Sequence, residues 1–169
     1  FVMHINLSFV QIVKSNIVKD VLENIERYSA ANNHYVFEIT ETIEMDQIPA
    51  VQNVFKEFVK NEFRFAIDDF GTGYSNYGYM RDRTFDIVKV DRSFVTDIDK
   101  LKDNYLMVSF IIKMAHEMGL HVCIEGVETK EELSCVKKLG ADYIQGYYYG
   151  KPVCLQDFEE QHLKRFVLG

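Results

Sequence analysis

The sequence predicts an α/β fold: a TIM-like (β/α) barrel, incomplete, with about six parallel strands and alternating helices. Two observations carry that prediction. Short apolar runs of strand length alternate with longer segments whose apolar residues recur at helical spacing, the pattern of successive βα units in a mostly parallel sheet. Each predicted strand also ends in a residue able to hold a cation or an anion: Asn6, Glu38, Asp68, Lys89, Glu125 and Gln145. Parallel strands bring their C-terminal ends to one rim, where barrel enzymes place catalytic groups. The 169 residues suit one domain with one sizeable core, and 47% hydrophobic with 14% aromatic residues argues for a packed globule.

In chain order, Val2 to Leu7 reads as the first strand. Ser15 or Asn16 can cap a helix with Val18, Val21, Leu22, Ile25 and Tyr28 on one stripe. Asn32-Asn33-His34 closes it, and Tyr35 to Ile39 is the second strand, with Glu41 just beyond. Pro49 suits the first turn of a helix striped by Val51, Val54, Phe55, Phe58 and Val59. The third strand opens at Phe65, and residues 76 to 84 read as a short helix interrupted by Gly78. Asp86 to Val90 is the fourth strand, with Lys89 and Asp91 on one face by alternation. Asp103 or Asn104 can cap a long helix whose inward residues are predicted as Leu106, Met107, Phe110, Ile111, Met114, Ala115 and Met118, stopped by Gly119. His121 to Ile124 is the fifth strand. Thr129 and Glu132 form a capping-box pattern for a helix ending at Gly140, and Tyr143 to Gln145 is the sixth strand. A last amphipathic helix carries Leu155, Phe158, His162, Leu163 and Phe166.

The most informative stretch is 65–75, FAIDDFGTGYS. Its apolar run gives way to adjacent carboxylates, Asp68 and Asp69, then to Gly71 and Gly73. Regular strand alternation forbids both carboxylates in one cavity. Singly, each strand-end residue has a plainer reading as a helix cap or a turn residue. Together, carboxylates on one rim repel each other unless cations sit between them. That points to Mg²⁺ or Mn²⁺, which prefer oxygen ligands. The histidines are scattered, with no histidine-cysteine set for zinc. A DFG triplet also occurs in protein kinases, but neither their glycine-rich loop nor their HRD loop is present. The net charge of -7 argues against a nucleic-acid polymer on a basic face. It leaves room for a small phosphorylated ligand neutralised by metal ions or helix N-termini. Cys123, Cys135 and Cys154 lack CxxC spacing and read as reduced thiols of a cytoplasmic protein. No run approaches the roughly 18 apolar residues of a membrane span, and no signal peptide is visible, so no membrane contact is predicted.

These stretches, in order, resemble the EAL domain family: INLS (5–8), EITE (38–41), DDFGTGYS (68–75), KVDRSF (89–94), EGVET (125–129) and QGYYYGKP (145–152). The resemblance runs from Ile5 to about Pro152, and residues 1–169 are expected to form one such domain. EAL domains are bacterial signal-transduction phosphodiesterases that hydrolyse cyclic di-GMP to linear pGpG. The resemblance implies that Asn6, Glu38 and Asp68 are metal ligands, with Asp69 and Asp91 around a second metal. It makes Lys89 the contact to the attacking water or phosphate and Glu125 the general base. Gln145 belongs to the site floor, and Glu41 holds the loop containing Gly71, Thr72, Gly73, Tyr74 and Ser75. Glu128 is a supporting acid, and Pro152 ends the last motif. Two Mg²⁺ or Mn²⁺ ions about 3.5–4 Å apart would activate water and clamp the phosphodiester.

The departures shape the expectations. The glutamate of the EAL signature has no counterpart, because the sequence starts at what corresponds to the family's third strand. Two barrel strands are therefore expected to be absent. Ser75-Asn76-Tyr77 stands where the family has SSL, and Thr84-Phe85 where it often has a proline. Unpaired edges at the first and last strands predict a homo-oligomer, or a separately held N-terminal segment, with poor hydrolysis by this chain alone. An upstream sensory or GGDEF-type domain is expected. The alternative is a catalytically degenerate EAL module that binds cyclic di-GMP or a protein partner without cleavage. The intact candidate positions favour the enzyme. An unrelated barrel enzyme abstracting a proton beside Mg²⁺ would share the acidic rim but not the six motifs.

Overall fold

Six strands, β1 (Met3–Asn6), β2 (Tyr35–Thr40), β3 (Arg64–Phe70), β4 (Ile87–Val90), β5 (His121–Ile124) and β6 (Tyr143–Ile144), form one sheet in strictly sequential order. Every neighbouring pair is parallel. The computed structural model describes residues 2–14, 16–27, 32–40, 49–72 and 84–160. A sequential order has no reversal point, so the crossovers share one handedness and one face, and the strands are successive staves of an incomplete (β/α) barrel.

Among the described residues the α-helices are α1 (Phe9–Lys14), α2 (Ile17–Arg27), α3 (Pro49–Lys60), α4 (Lys102–Glu117), α5 (Lys130–Leu139) and α6 (Leu155–Phe158). The short α1 lies within a stretch whose spacing did not suggest a helix. Alternation in β2 sends Phe37 and Ile39 toward the helices, where α3 lays Val51, Phe55 and Phe58 against the sheet. Phe37, Phe55, Phe58, Phe63, Phe65 and Phe85 pack there with ring centroids 4.8–6.2 Å apart, in tilted and edge-on pairs. On the opposite sheet face, Val36, Ala66, Ile87 and Cys123 form a small buried layer beneath the rim. The capping box of α5 is complete: Thr129 accepts from the Glu132 N–H, and Glu132 accepts from the Thr129 N–H.

The long helix corrects two expectations. Leu101, not Asp103 or Asn104, occupies the N-cap of α4, and it makes no side-chain cap bond. Asn104 instead donates to the Ser93 and Thr96 carbonyls, tying α4 to the turn after β4. The buried stripe is Val108, Ile111, Ile112 and Ala115, while Leu106, Met107 and Phe110 are exposed. Apolar residues occur on nearly every side of this helix, so spacing alone did not select the packed face. In the last helix Leu155 is exposed, and His162, Leu163 and Phe166 lie outside the described residues. Among the described residues, no helix is long and apolar enough to cross a membrane.

Candidate active site

The strand register decides which side chains meet. Asn6 is level with Glu38, Glu38 with Ala66, and Ala66 with Ile87; Lys89 is level with Cys123, and Cys123 with Tyr143. Period-two alternation then puts His4, Asn6, Glu38, Asp68, Lys89, Glu125 and Gln145 on one sheet face, at its C-terminal rim.

Asp69 would point away in a regular strand. Between the pairs Ile67–Val88 and Phe70–Val90, however, β3 has two residues and β4 only Lys89. This is a bulge, and Asp69 takes a left-handed φ of 53° within it. Its carboxylate consequently joins those of Asp68 and Glu125, with one oxygen of each lying within 4.8 Å of the others. The strand thus continues to Phe70 rather than ending at the carboxylates. Just beyond, Gly71 has a φ of 96°, and a Cβ there would sit 2.8 Å from the Phe94 ring. Only glycine fits that turn against the 3₁₀ segment Arg92–Phe94. The Thr72 hydroxyl and N–H both donate to the Asp69 carbonyl, which fixes the bulge from behind.

Lys89 lies at the centre. Its side chain is 3% exposed, and Nζ lies 2.7 Å from Glu38 Oε1, 2.8 Å from Asp68 Oδ1 and 2.8 Å from Glu125 Oε1. Burial by itself favours a neutral amine, but bonds to Asp68, Glu125 and Glu38 outweigh it and hold the ammonium well above the usual lysine range. The carboxylates respond differently. Glu38 is desolvated, yet donors on His4 and Lys89 lower it below its ordinary value. Glu125 is raised by burial and by the charges of Asp68 and Glu38, with Lys89 opposing. Asp69 is raised by burial and by Asp68 and Asp91. Among the described residues, one ammonium therefore serves this cluster of carboxylates. The donor set is all oxygen, which suits a hard divalent cation.

The other predicted residues fall at various distances from this centre. Glu38 lies outside the Asp68–Asp69–Glu125 group and reaches it through Lys89. Asn6 stands at the end of β1 and is exposed. Asp91 caps the segment Arg92–Phe94, with Oδ1 accepting the Ser93 N–H at 2.9 Å. Its carboxyl is lowered because the bonds to Ser93 outweigh the cost of burial. Glu128 is exposed, and its N–H donates to Glu132. Gln145 borders an open hollow of about 370 Å³ that His4, Cys123, Tyr143 and Tyr149 also line. Pro152 is exposed beyond that loop. Glu41, Gly73, Tyr74 and Ser75 lie outside the described residues.

The sequence presents His4 only as one of the scattered histidines, and Glu132 only as part of a capping box. His4 Nδ1 lies 2.7 Å from Glu38 Oε1. The signal was available in its position two residues before Asn6 on the same strand. The buried Glu132 does more than close a capping box. Oε2 accepts from the Glu128 and Thr129 N–H groups, while Oε1 accepts from Asp97 in the loop after β4.

A family model, EAL domain, matches residues 1–152. The chain is 34% identical over 153 residues to the probable cyclic di-GMP phosphodiesterase PdeA of Escherichia coli strain K12, covering 90% of this chain and 21% of PdeA. Among solved structures, the EAL enzyme Bd1971 with cAMP and cyclic di-GMP bound superposes with a TM-score of 0.89 at 34% identity, over 95% of this chain and 42% of that one. Klebsiella pneumoniae BlrP1, in a complex with manganese and cyclic di-GMP, gives 0.81 at 27% identity, over 89% of this chain and 39% of BlrP1. The chain spans about a fifth to a quarter of the length of the first curated relatives it matches.

Proposed function

The chain belongs to the EAL domain family, and on that premise we propose that the protein hydrolyses cyclic di-GMP to linear pGpG with Mg²⁺ or Mn²⁺. One observation carries the reading: Asp68, Asp69 and Glu125 converge on the rim around a buried, charged Lys89. Asp68 and Asp69, together with Asn6, Glu38 and Asp91, would hold the divalent cations. Bound there, the ions would supply Lewis acidity toward water and the phosphoryl oxygens. BlrP1 has been solved as a calcium/cyclic di-GMP complex and as a manganese/cyclic di-GMP complex, which supports a divalent ion in this family.

The chain's own groups divide the remaining work. Lys89 stays protonated and fixes three carboxylates from three strands, so the rim needs no rearrangement to receive substrate. Glu125, whose carboxyl is raised, is the general base. It takes a proton from the attacking water as the water oxygen bonds to phosphorus. The P–O3′ bond breaks, and the departing 3′ oxygen takes a proton from solvent. Opening one of the two phosphodiester linkages gives the linear product. In this reading Glu41 is the residue assigned to the loop that contains Gly71, Thr72, Gly73, Tyr74 and Ser75. Asp91 belongs around the second metal, Glu128 is a supporting acid, Gln145 belongs to the floor and Pro152 ends the last motif.

Incubating the full-length protein with cyclic di-GMP and Mn²⁺, with and without chelator, tests this directly. Metal-dependent pGpG formation is expected. Tight binding of cyclic di-GMP with no pGpG would instead identify a non-cleaving module.

A further inference from the structure

Glu38 is held from two sides. Lys89 approaches from β4, and His4 from β1, two residues before Asn6 and level with Val36 in the register. Both contacts are 2.7 Å, and both fall on Oε1. Because that oxygen already faces an ammonium, it acts as an acceptor, and His4 Nδ1 must be the donor. We propose that His4 is a positioning residue: its hydrogen bond locks the Glu38 carboxylate so that Oε1 stays with protein donors and Oε2 is left available to a divalent cation.

Three features separate this from an incidental contact. The terminal torsion of a glutamate is broad, so one donor leaves the carboxylate free to swing. A second donor on the same oxygen, from a different strand, removes that freedom. Lys89 divides its three N–H donors among Glu38, Asp68 and Glu125, so it gives Glu38 a single bond and the second must come from His4. Glu38 is also only 7% exposed while the His4 side chain is 34% exposed, so the bond is shielded from solvent on the Glu38 side. Partners that orient a metal-binding carboxylate typically contribute about 10–100-fold to metal affinity or activity.

The inference rests on the rim being the cation site of the proposed phosphodiesterase, and its test separates the two. In the full-length protein, His4→Leu removes the donor at similar bulk, while His4→Asn places an amide N–H near the Nδ1 position. Mn²⁺ affinity is measured by titration, alongside thermal melts, kcat and KM. The expected result is a Mn²⁺ Kd at least tenfold weaker for His4→Leu and largely restored in His4→Asn. KM for cyclic di-GMP should be unchanged once Mn²⁺ saturates. Equal Mn²⁺ affinity in all three proteins would overturn the proposal, as would equal weakening of both variants. So would lowered melting with unaltered Mn²⁺ binding, which is the signature of a merely structural histidine. If Mn²⁺ binding follows the expected order but no protein makes pGpG, the phosphodiesterase reading fails and the role of His4 stands.

Discussion

At the scale of single residues, the site rests on carboxylates given different tasks by their neighbours. Glu38 carries two donors and is lowered, whereas Glu125 has one donor and two negative neighbours and is raised. Glu125→Gln keeps the shape but cannot accept a proton, so pGpG formation should fall by about 10²–10⁴-fold with cyclic di-GMP binding retained. Turnover within tenfold of wild type would remove Glu125 from the role of base. Glu132 provides a pH test away from the rim. Burial would raise its carboxyl, but the N–H groups of Glu128, Thr129 and Asp97 lower it below its ordinary 4.5. A depressed acid stabilises the fold above its unfolded-state value, and this contribution is lost as pH falls through the folded-state value. Urea midpoints of wild type and Glu132→Gln should therefore differ at pH 7 and converge as pH drops below about 4.5. A gap that persists at pH 3 would assign the effect to packing instead.

At the scale of elements, the strands were legible in the sequence because their signals are local, whereas the cap of α4 was not, since Leu101 holds it without a side-chain bond. The Thr129–Glu132 spacing specified the start of α5. The bulge was not legible, because an extra residue in β3 exists only relative to its partner β4. Adjacent Asp68 and Asp69 gave a contradiction that register alone resolves. The exposed face of α4 was hidden for a related reason, since its apolar residues surround the helix and the packed side is chosen by tertiary contact. Gly146 marks another long-range constraint: a Cβ there would lie 2.1 Å from the Val127 carbonyl oxygen and 2.4 Å from its nitrogen. The loops after β5 and β6 are pressed backbone to backbone, and the Val127 N–H donates to the Gln145 carbonyl. Gly146→Ala should cost about 1–3 kcal/mol by overpacking, read from denaturant midpoints. A change below about 0.5 kcal/mol, the range of ordinary surface substitutions, would show that the loops separate freely.

At the scale of the whole molecule, sequential strand order brings Asp68 and Asp69 from β3, Glu38 from β2 and Glu125 from the end of β5 to one rim, so the acidic cluster forms only when the sheet is assembled. The folded chain then bears repulsion that its unfolded form avoids. A divalent ion binding the folded state alone should relieve it and stabilise by about 2.7 kcal/mol at a hundredfold excess over Kd. For a chain of this size that corresponds to a rise in melting temperature of roughly 5–10 °C. Melts with Mn²⁺ and with chelator check this, and Asp68→Asn should shrink the difference. An identical melting temperature in both would argue against ion binding at the rim.

The enclosure of Lys89 makes it a chemical clock. Acylating reagents attack the free amine, and this amine is protonated, triply bonded and out of reach. Lys19 and Lys100 are open to solvent and should react with an activated ester at once. Lys89 should be modified only as fast as the rim parts, so its labelling rate, followed by peptide mass spectrometry, measures how often the site comes apart. Labelling of Lys89 in step with Lys19 would mean that the three-way ion pair is transient in solution.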